Sequence, residues 1–372
     1  MKNNNLVLVD MIVGITLIPI SIIMRSFRIF SSKIFPLKYK GVLIIKFLGA
    51  GNFIAMQNNI LSKKTDILSA KSNFHAIAKF NIGNQIFLID DSNFFKLVIT
   101  GIICTSKIFF KNYEQVINLE AESKFAKFIA SITSTKILSG LSNAHKSYLD
   151  LIIYDKYLVS PLMLSKPKII DLLIKFEKTT NINLENTLIK HRKNFLLNNS
   201  LNKINKILIF PTASNTDMMR RLSVYDGWKN ILNSLHSLKE VESIEIIFPS
   251  KLDHQYSDFL SLSKKYPLTK LIITNYDEFV KKIIESDLLF TVDSQALHIA
   301  QHYRKLSIAI YGPTSPFGVN LETTTYPVTQ SLICSPCVHK YLRLPCRGEA
   351  PCMNFEKSHI SIIKYINLKK NI

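Results

Sequence analysis

The sequence predicts an α/β protein: two Rossmann-like, doubly wound domains of parallel strands facing a central cleft, preceded by an N-terminal hydrophobic helix. Three observations carry this. Short β-branched runs alternate with longer amphipathic segments from Gly41 onward, which is the pattern of parallel sheets crossed by helices. The series restarts at Lys206. And 372 residues exceed what one ordinary core accommodates.

In the first series Gly41–Phe47 reads as a buried strand, Leu48–Gly51 as a glycine turn and Asn52–Leu61 as a helix. Further strands are expected at Asp66–Ala70, Ile86–Ile89, Gln115–Leu119 and Lys136–Leu141, and a basic helical region from Tyr157 to Leu197. The second series gives strands at Lys206–Phe210, Ser243–Phe248, Thr269–Thr274, Leu288–Val292 and Ser307–Tyr311. Helices are expected between them at Val224–Leu238, His254–Lys265, Asp277–Ser286 and Ser294–Tyr303. The expected organisation is thus a hydrophobic helix and basic linker over 1–40, a first domain over 41–197, a second over 203–355, and a return helix over 356–372.

The N-terminal helix is read from Leu6 to Met24, almost wholly apolar and followed by Arg25, Arg28, Lys33, Lys38 and Lys40. Crossing a bilayer takes about 20 apolar residues. Asp10 and Pro19 weaken this stretch, by a buried charge and a helix-breaking ring. A helix in or on the membrane surface, a single-pass anchor, and a helix packed on the first domain all fit. The bulk of the chain reads as cytoplasmic, held at the inner face of the membrane.

Lysine and arginine number 47 against 27 acidic residues, a net charge of +20, so anionic partners are favoured. No nucleic-acid-binding signature accompanies this charge. Apolar residues at 47% exclude a disordered chain. Of five cysteines, Cys334, Cys337, Cys346 and Cys352 crowd together, unlike the chain-wide spacing of a secreted disulfide scaffold. They could hold a structural zinc ion, with His339 as a substitute ligand, or remain reduced thiols.

Ligands of open parallel sheets sit at the carboxyl ends of strands, and there the unusual residues fall. Asp293 and Ser294 precede a helix with His298 one turn in, offering free N–H groups to an anion. After the next strand comes Tyr311-Gly312-Pro313-Thr314-Ser315-Pro316, with a glycine for close approach and hydroxyls for phosphate oxygens. After the domain's first strand come Pro211-Thr212-Ala213-Ser214-Asn215, then Arg220-Arg221, whose forked donors suit a diphosphate.

These three segments, in this order, resemble glycosyltransferase family 9, the lipopolysaccharide heptosyltransferases. The resemblance runs through Pro211–Ser214 with Arg220-Arg221, through Asp293–His298 and through Tyr311–Thr314. It extends to Lys46-Phe47-Leu48-Gly49 and Asn118-Leu119-Glu120. It implies a GT-B fold and transfer of a heptose-like sugar from a nucleotide-diphospho-sugar, such as ADP-heptose, to an anionic, lipid-linked acceptor. It requires no cofactor. Three departures stand out: Leu222 where tryptophan is usual, Gln295 for glycine, and Gly51-Asn52 for a glycine-aspartate pair whose aspartate is the family's proposed base. An amide takes no proton at neutral pH. Asn52 can then only orient the acceptor, and Glu120 becomes the leading candidate base, ahead of Glu122, Asp90 and Asp91. The alternative is a relative that binds nucleotide or glycolipid without turnover.

Overall fold

A computed structural model describes residues 8–10, 12, 16, 18–34, 40–47, 49–56, 65–120, 123–142, 153–159, 184–199, 204–213, 218–316, 322–330, 332, 334–337 and 346–355. The chain divides into two compact units, whose described parts run up to Val159 and from Leu184 onward. The return helix expected over 356–372 lies outside the described residues.

The first unit is a six-stranded parallel sheet in the order β3-β2-β1-β4-β5-β6. Its strands are β1 (Val42–Ile45), β2 (Thr65–Ala70), β3 (Ile86–Ile89), β4 (Asn112–Asn118), β5 (Ser134–Ser142) and β6 (Lys156–Val159). Its helices are α1 (Ile18–Ile34), α2 (Ala50–Met56), α3 (Phe74–Lys79), α4 (Phe94–Phe109) and α5 (Lys124–Ile132). The central strand β1 is almost wholly buried because helices cover both faces, which is why it reads as an unbroken apolar run. Leu43, Ile45, Phe47, Leu68, Val116 and Leu138 form the heart of this core. Each large side chain there contributes on the order of 1.5–3 kcal/mol.

The second unit repeats the topology as β12-β11-β10-β7-β8-β9. Helix α6 (Leu184–Asn198) leads into β7 (Lys206–Phe210), α7 (Lys229–His236), β8 (Ser243–Phe248), α8 (Tyr256–Ser263) and β9 (Thr269–Ile273). Then come α9 (Tyr276–Glu285), β10 (Leu288–Val292), α10 (Gln295–His302), β11 (Ser307–Tyr311) and β12 (Thr325–Thr329). A π-helical turn at Val224–Trp228 runs into α7 and buries Trp228 against Phe259, their ring centroids 6.0 Å apart. Helix α6 belongs with this unit: His191 hydrogen-bonds the Thr325 carbonyl at 2.9 Å and Arg192 donates to that of Pro327 at 2.9 Å.

The N-terminal expectation needs correction. No helix among the described residues is long and apolar enough to cross a membrane. Helix α1 starts at Ile18, carries Arg25, Arg28 and Lys33, and packs on α5. Arg25, buried, pairs with Asp155, whose carboxylate also accepts from the Leu138 N–H. Asp10, awkward in a membrane, accepts hydrogen bonds from the Ser123 hydroxyl and the Phe125 N–H, both at 2.9 Å. It thereby satisfies the free donors at the start of α5. No spanning helix is therefore seen among the described residues, and α1 lies packed on the first unit.

Two strands escaped the sequence pattern. Within the region expected to be helical, β6 forms the edge of the first sheet. Strand β12 forms the edge of the second and contains Pro327, tolerated there because an edge strand has one unpaired side.

Candidate functional site

In each unit the sheet's direction of winding reverses between two neighbouring strands: β1 and β4 in the first, β7 and β10 in the second. Crevices outside the carboxyl ends of such pairs are where this topology takes ligands. Several of the sequence-predicted residues, Glu120, Thr212, Asp293, Ser294 and Thr314 among them, fall at or beside these two edges.

In the second unit the edge is built from three strand ends. Thr291, inside β10, donates its hydroxyl to the Phe210 carbonyl at 2.9 Å, locking β10 to the end of β7. The same hydroxyl meets that of Ser294 at 2.9 Å. Ser294, extended at φ −150°, is the N-cap residue of α10, but its side chain makes no cap bond, so no side-chain oxygen covers that helix start. Asp293 is buried beside it, and Arg220 reaches it, with Nη1 3.5 Å from Oδ2 and 3.5 Å from the backbone carbonyl. Gln295, where the family resemblance expects glycine, turns away and donates to the Tyr276 hydroxyl at 2.7 Å.

Four buried side-chain atoms around this edge find no hydrogen-bond partner in the protein: Thr212 Oγ1, His298 Nδ1, Tyr311 Oη and Thr314 Oγ1. A folded protein rarely leaves such atoms unpaired, since each costs about 1–3 kcal/mol. Their concentration where β7, β10 and β11 end marks a place shaped for a polar ligand. Burial, aided by nearby Arg220, holds the His298 imidazole below its ordinary pKa despite Asp293, so it is neutral at pH 7. Burial and then Asp293 hold the Tyr311 phenol well above its usual range, so it keeps its proton. The edge therefore offers hydroxyls, N–H groups and one guanidinium.

The two arginines read as equals in sequence have different surroundings. Arg221 is buried and its Nη1 donates to both Asp253 oxygens, at 2.7 and 2.9 Å, while Nη2 donates to the Ala213 carbonyl at 3.1 Å. It braces the loop after β7 from behind, whereas Arg220 is partly exposed at the edge. Ser214 lies outside the described residues.

Gly312 is needed for packing. A Cβ on it would fall 2.4 Å from Met353 Sδ and 3.0 Å from Cys352 Sγ. The cysteine-bearing loops close over this turn: the Ser335 hydroxyl donates to the Gly312 carbonyl and the Cys337 N–H to that of Pro313 at 2.9 Å. Burial, then the thiols of Cys337, Cys346 and Cys334, push the Cys352 thiol up to about 12. No disulfide joins these cysteines. Among the described residues no group of three or more His, Cys, Asp or Glu side chains is arranged to hold a metal ion. The zinc alternative thus gains no support, and His339 lies outside the described residues.

In the first unit, Gly49 takes φ +84°, a conformation that favours glycine, and turns the chain from β1 into α2. Asn52 sits in α2. Glu120 is buried beyond β4, and its Oε1 accepts from Lys46 Nζ at 2.9 Å and from the Phe47 N–H at 2.8 Å. Asn73 donates to the Phe47 carbonyl at 2.7 Å. Lys46, Glu120 and the glycine turn are therefore one assembly at the β1/β4 edge. Asp90 and Asp91 lie elsewhere, past the end of β3: Asp90 pairs with Lys71, and Asp91 accepts from the Ser72 N–H. Glu122 lies outside the described residues.

Two participants had no sequence signal of their own. Asp253, the partner of Arg221, follows β8 and stands out only once strand ends are known. Asp10 comes from outside the sheet; burial, with the nearby Glu120 adding, raises its pKa.

No family profile matches the chain, and no curated protein matches it in sequence. Solved structures do match in three dimensions. One is the E. coli ADP-heptose lps heptosyltransferase II, with a TM-score of 0.59 and 13% identity, covering 89% of this chain and 100% of that one. A glycosyl transferase family 9 structure from Veillonella parvula gives a TM-score of 0.59 and 13% identity, covering 89% and 97%. E. coli heptosyltransferase WaaC with ADP gives 0.54 and 13%, covering 77% and 92%. The chain shares the two-sheet fold of these proteins over most of its length, which bears out the resemblance at the level of fold.

Proposed function

We propose that this chain is a glycosyltransferase that takes a heptose-like sugar from a nucleotide-diphospho-sugar. The observation that carries the reading is the set of unpartnered buried atoms on Thr212, His298, Tyr311 and Thr314, gathered at the β7/β10/β11 edge beside Arg220 and the start of α10. The leaving diphosphate would lie there. Arg220 and the α10 N–H groups would meet its growing charge, and the hydroxyls of Thr212, Ser294 and Thr314 would orient its oxygens. Heptosyltransferase structures that share the fold, one with ADP and one with ADP-2-deoxy-2-fluoro heptose, support an ADP-sugar as donor. Since fixed donors supply the positive end, transfer needs no metal. The net charge of +20 supports an anionic acceptor, a lipid-linked or lipopolysaccharide-core glycan at the cytoplasmic face of the inner membrane.

A thermal-shift screen of nucleotide-sugars, with and without EDTA, tests this. At a hundred times its Kd, a bound ADP-sugar should stabilise the protein by about 2.7 kcal/mol. EDTA should leave both binding and transfer unchanged. Stabilisation by other nucleotides but not ADP would sink the donor assignment, and loss of transfer in EDTA would sink the metal-free mechanism.

Displacement at the anomeric carbon needs a base for the acceptor hydroxyl. With Asn52 in the position of the usual aspartate, Glu120 is proposed for that role, held in place by Lys46 and the Phe47 N–H. Glu120→Gln keeps the shape and removes the base, so kcat should fall by roughly 10²–10⁴ with donor binding intact. Asp10→Asn is the paired control, because Asp10 stands close by. A drop with Asp10→Asn alone would move the role to Asp10. A second reading rests on Asn52 itself: a protein that binds nucleotide or glycolipid without turnover. Donor binding with no transfer in the wild type would favour it.

A further inference from the structure

One face of the first unit is built in a way that sugar transfer does not call for. The right-handed crossovers from β3 to β4 and from β4 to β5 run in the same direction across the sheet, which puts α4 and α5 on one face. Phe125 of α5 fits its ring edge over Gly101 of α4, and α1 packs on α5. Three helices therefore share this face.

The outer surfaces of α1 and α4 are apolar where a soluble protein's would be polar, while α5 is almost wholly buried. On α1, Ile20, Ile23, Phe27 and Phe30 repeat at helical spacing and are exposed, Phe27 at 64%. On α4, Phe95, Ile99 and Ile102 do the same, Phe95 at 76%, and Phe110 follows just beyond. Single exposed apolar residues are ordinary, but two stripes on one face mark an interaction surface.

Charge decides the occupant. The three helices contain Arg25, Arg28, Lys33, Lys96, Lys107, Lys124 and Lys127 and not one aspartate or glutamate. Lys96, Lys107 and Lys124 are exposed. A second copy of the chain would set this positive surface against itself, an arrangement opposed by self-repulsion. An anionic bilayer satisfies both features, taking apolar side chains at the acyl boundary and lysines at the headgroups.

We infer that the face formed by α1, α5 and α4 seats the first unit in the plane of an anionic lipid bilayer. The inference stands on this face and does not rest on the identity of the donor. The sequence suggested membrane contact through the N-terminal segment alone; the structure adds α4, which the sequence left as an ordinary sheet-covering helix.

Co-sedimentation of the full chain with phosphatidylcholine vesicles, with and without phosphatidylglycerol, is the test. Binding should require the anionic lipid and weaken with salt. Replacing Phe95, Ile99 and Ile102 together by serine should lower partitioning by at least roughly tenfold. Lys96→Glu with Lys107→Glu should lower it by roughly fivefold per lysine. Because these side chains are exposed, the circular dichroism melt should be unchanged, which separates lost docking from lost folding. Equal sedimentation with neutral and anionic vesicles, or none with either, would overturn the inference. So would light scattering that shows a dimer dissolved by the serine substitutions, which would give the face to a second copy. Vesicle binding by a protein that ignores every ADP-sugar would leave this inference standing while the donor reading failed.

Discussion

Asp253→Ala is expected to cost about 3–5 kcal/mol, because it strands the Arg221 guanidinium in the interior with a charge and no counter-ion. Arg221 and Asp253 are almost fully buried and joined by two hydrogen bonds at 2.7 and 2.9 Å. Asp253 also accepts from the Gln255 N–H at 3.0 Å, so the start of the α8 region loosens with it. For a unit of this size the loss corresponds to a drop in Tm of roughly 10 °C. The double variant Arg221→Met/Asp253→Leu should recover much of that stability, since neither residue then buries an unpaired charge. It should not recover donor binding, because Arg221 also holds the Ala213 carbonyl beside Thr212. Scanning calorimetry with an ADP titration separates the two effects. A single variant as stable as wild type would show that the pair does not brace the loop.

Arg220→Ala should do the reverse, sparing stability while weakening the donor. Its guanidinium is partly exposed and its contacts with buried Asp293 are long, so the fold should lose on the order of 1 kcal/mol, well short of the Asp253→Ala loss. A charge-assisted bond to a phosphate contributes about 1.5–3 kcal/mol, so ADP affinity should fall by roughly 10–100-fold. Arg220→Lys should restore part of it, as lysine keeps the charge but not the fork. Calorimetric titration of ADP is the measurement, and unchanged affinity in Arg220→Ala would remove this residue from the site.

These two neighbours show where sequence reading stops. Arg220 and Arg221 stand side by side, and nothing local distinguishes them. Their roles separate only through Asp253, more than thirty positions away on the far side of β8. Gly312 makes the same point: read as room for a phosphate, it also leaves room for Met353 and Cys352, which arrive from a later loop. The strands were legible because parallel sheets covered on both faces demand long apolar runs, as in Leu288–Val292 and Ser307–Tyr311. Strand β12 was not, because an edge strand tolerates the proline that an interior one excludes, and β6 was not, because it is only four residues long. Asp10 was misread for a related reason. An acidic residue in an apolar stretch looks costly until the start of α5 is seen to supply its donors.

The central claim is that a nucleotide diphosphate binds where β7, β10 and β11 end. Amide hydrogen exchange followed by mass spectrometry, with and without ADP, tests it most directly. The account predicts slowed exchange in the peptides spanning Asp293–His298 and Tyr311–Ser315, with the α1 and α4 helices of the first unit unchanged. Protection confined to other segments, or none at saturating ADP, would contradict it.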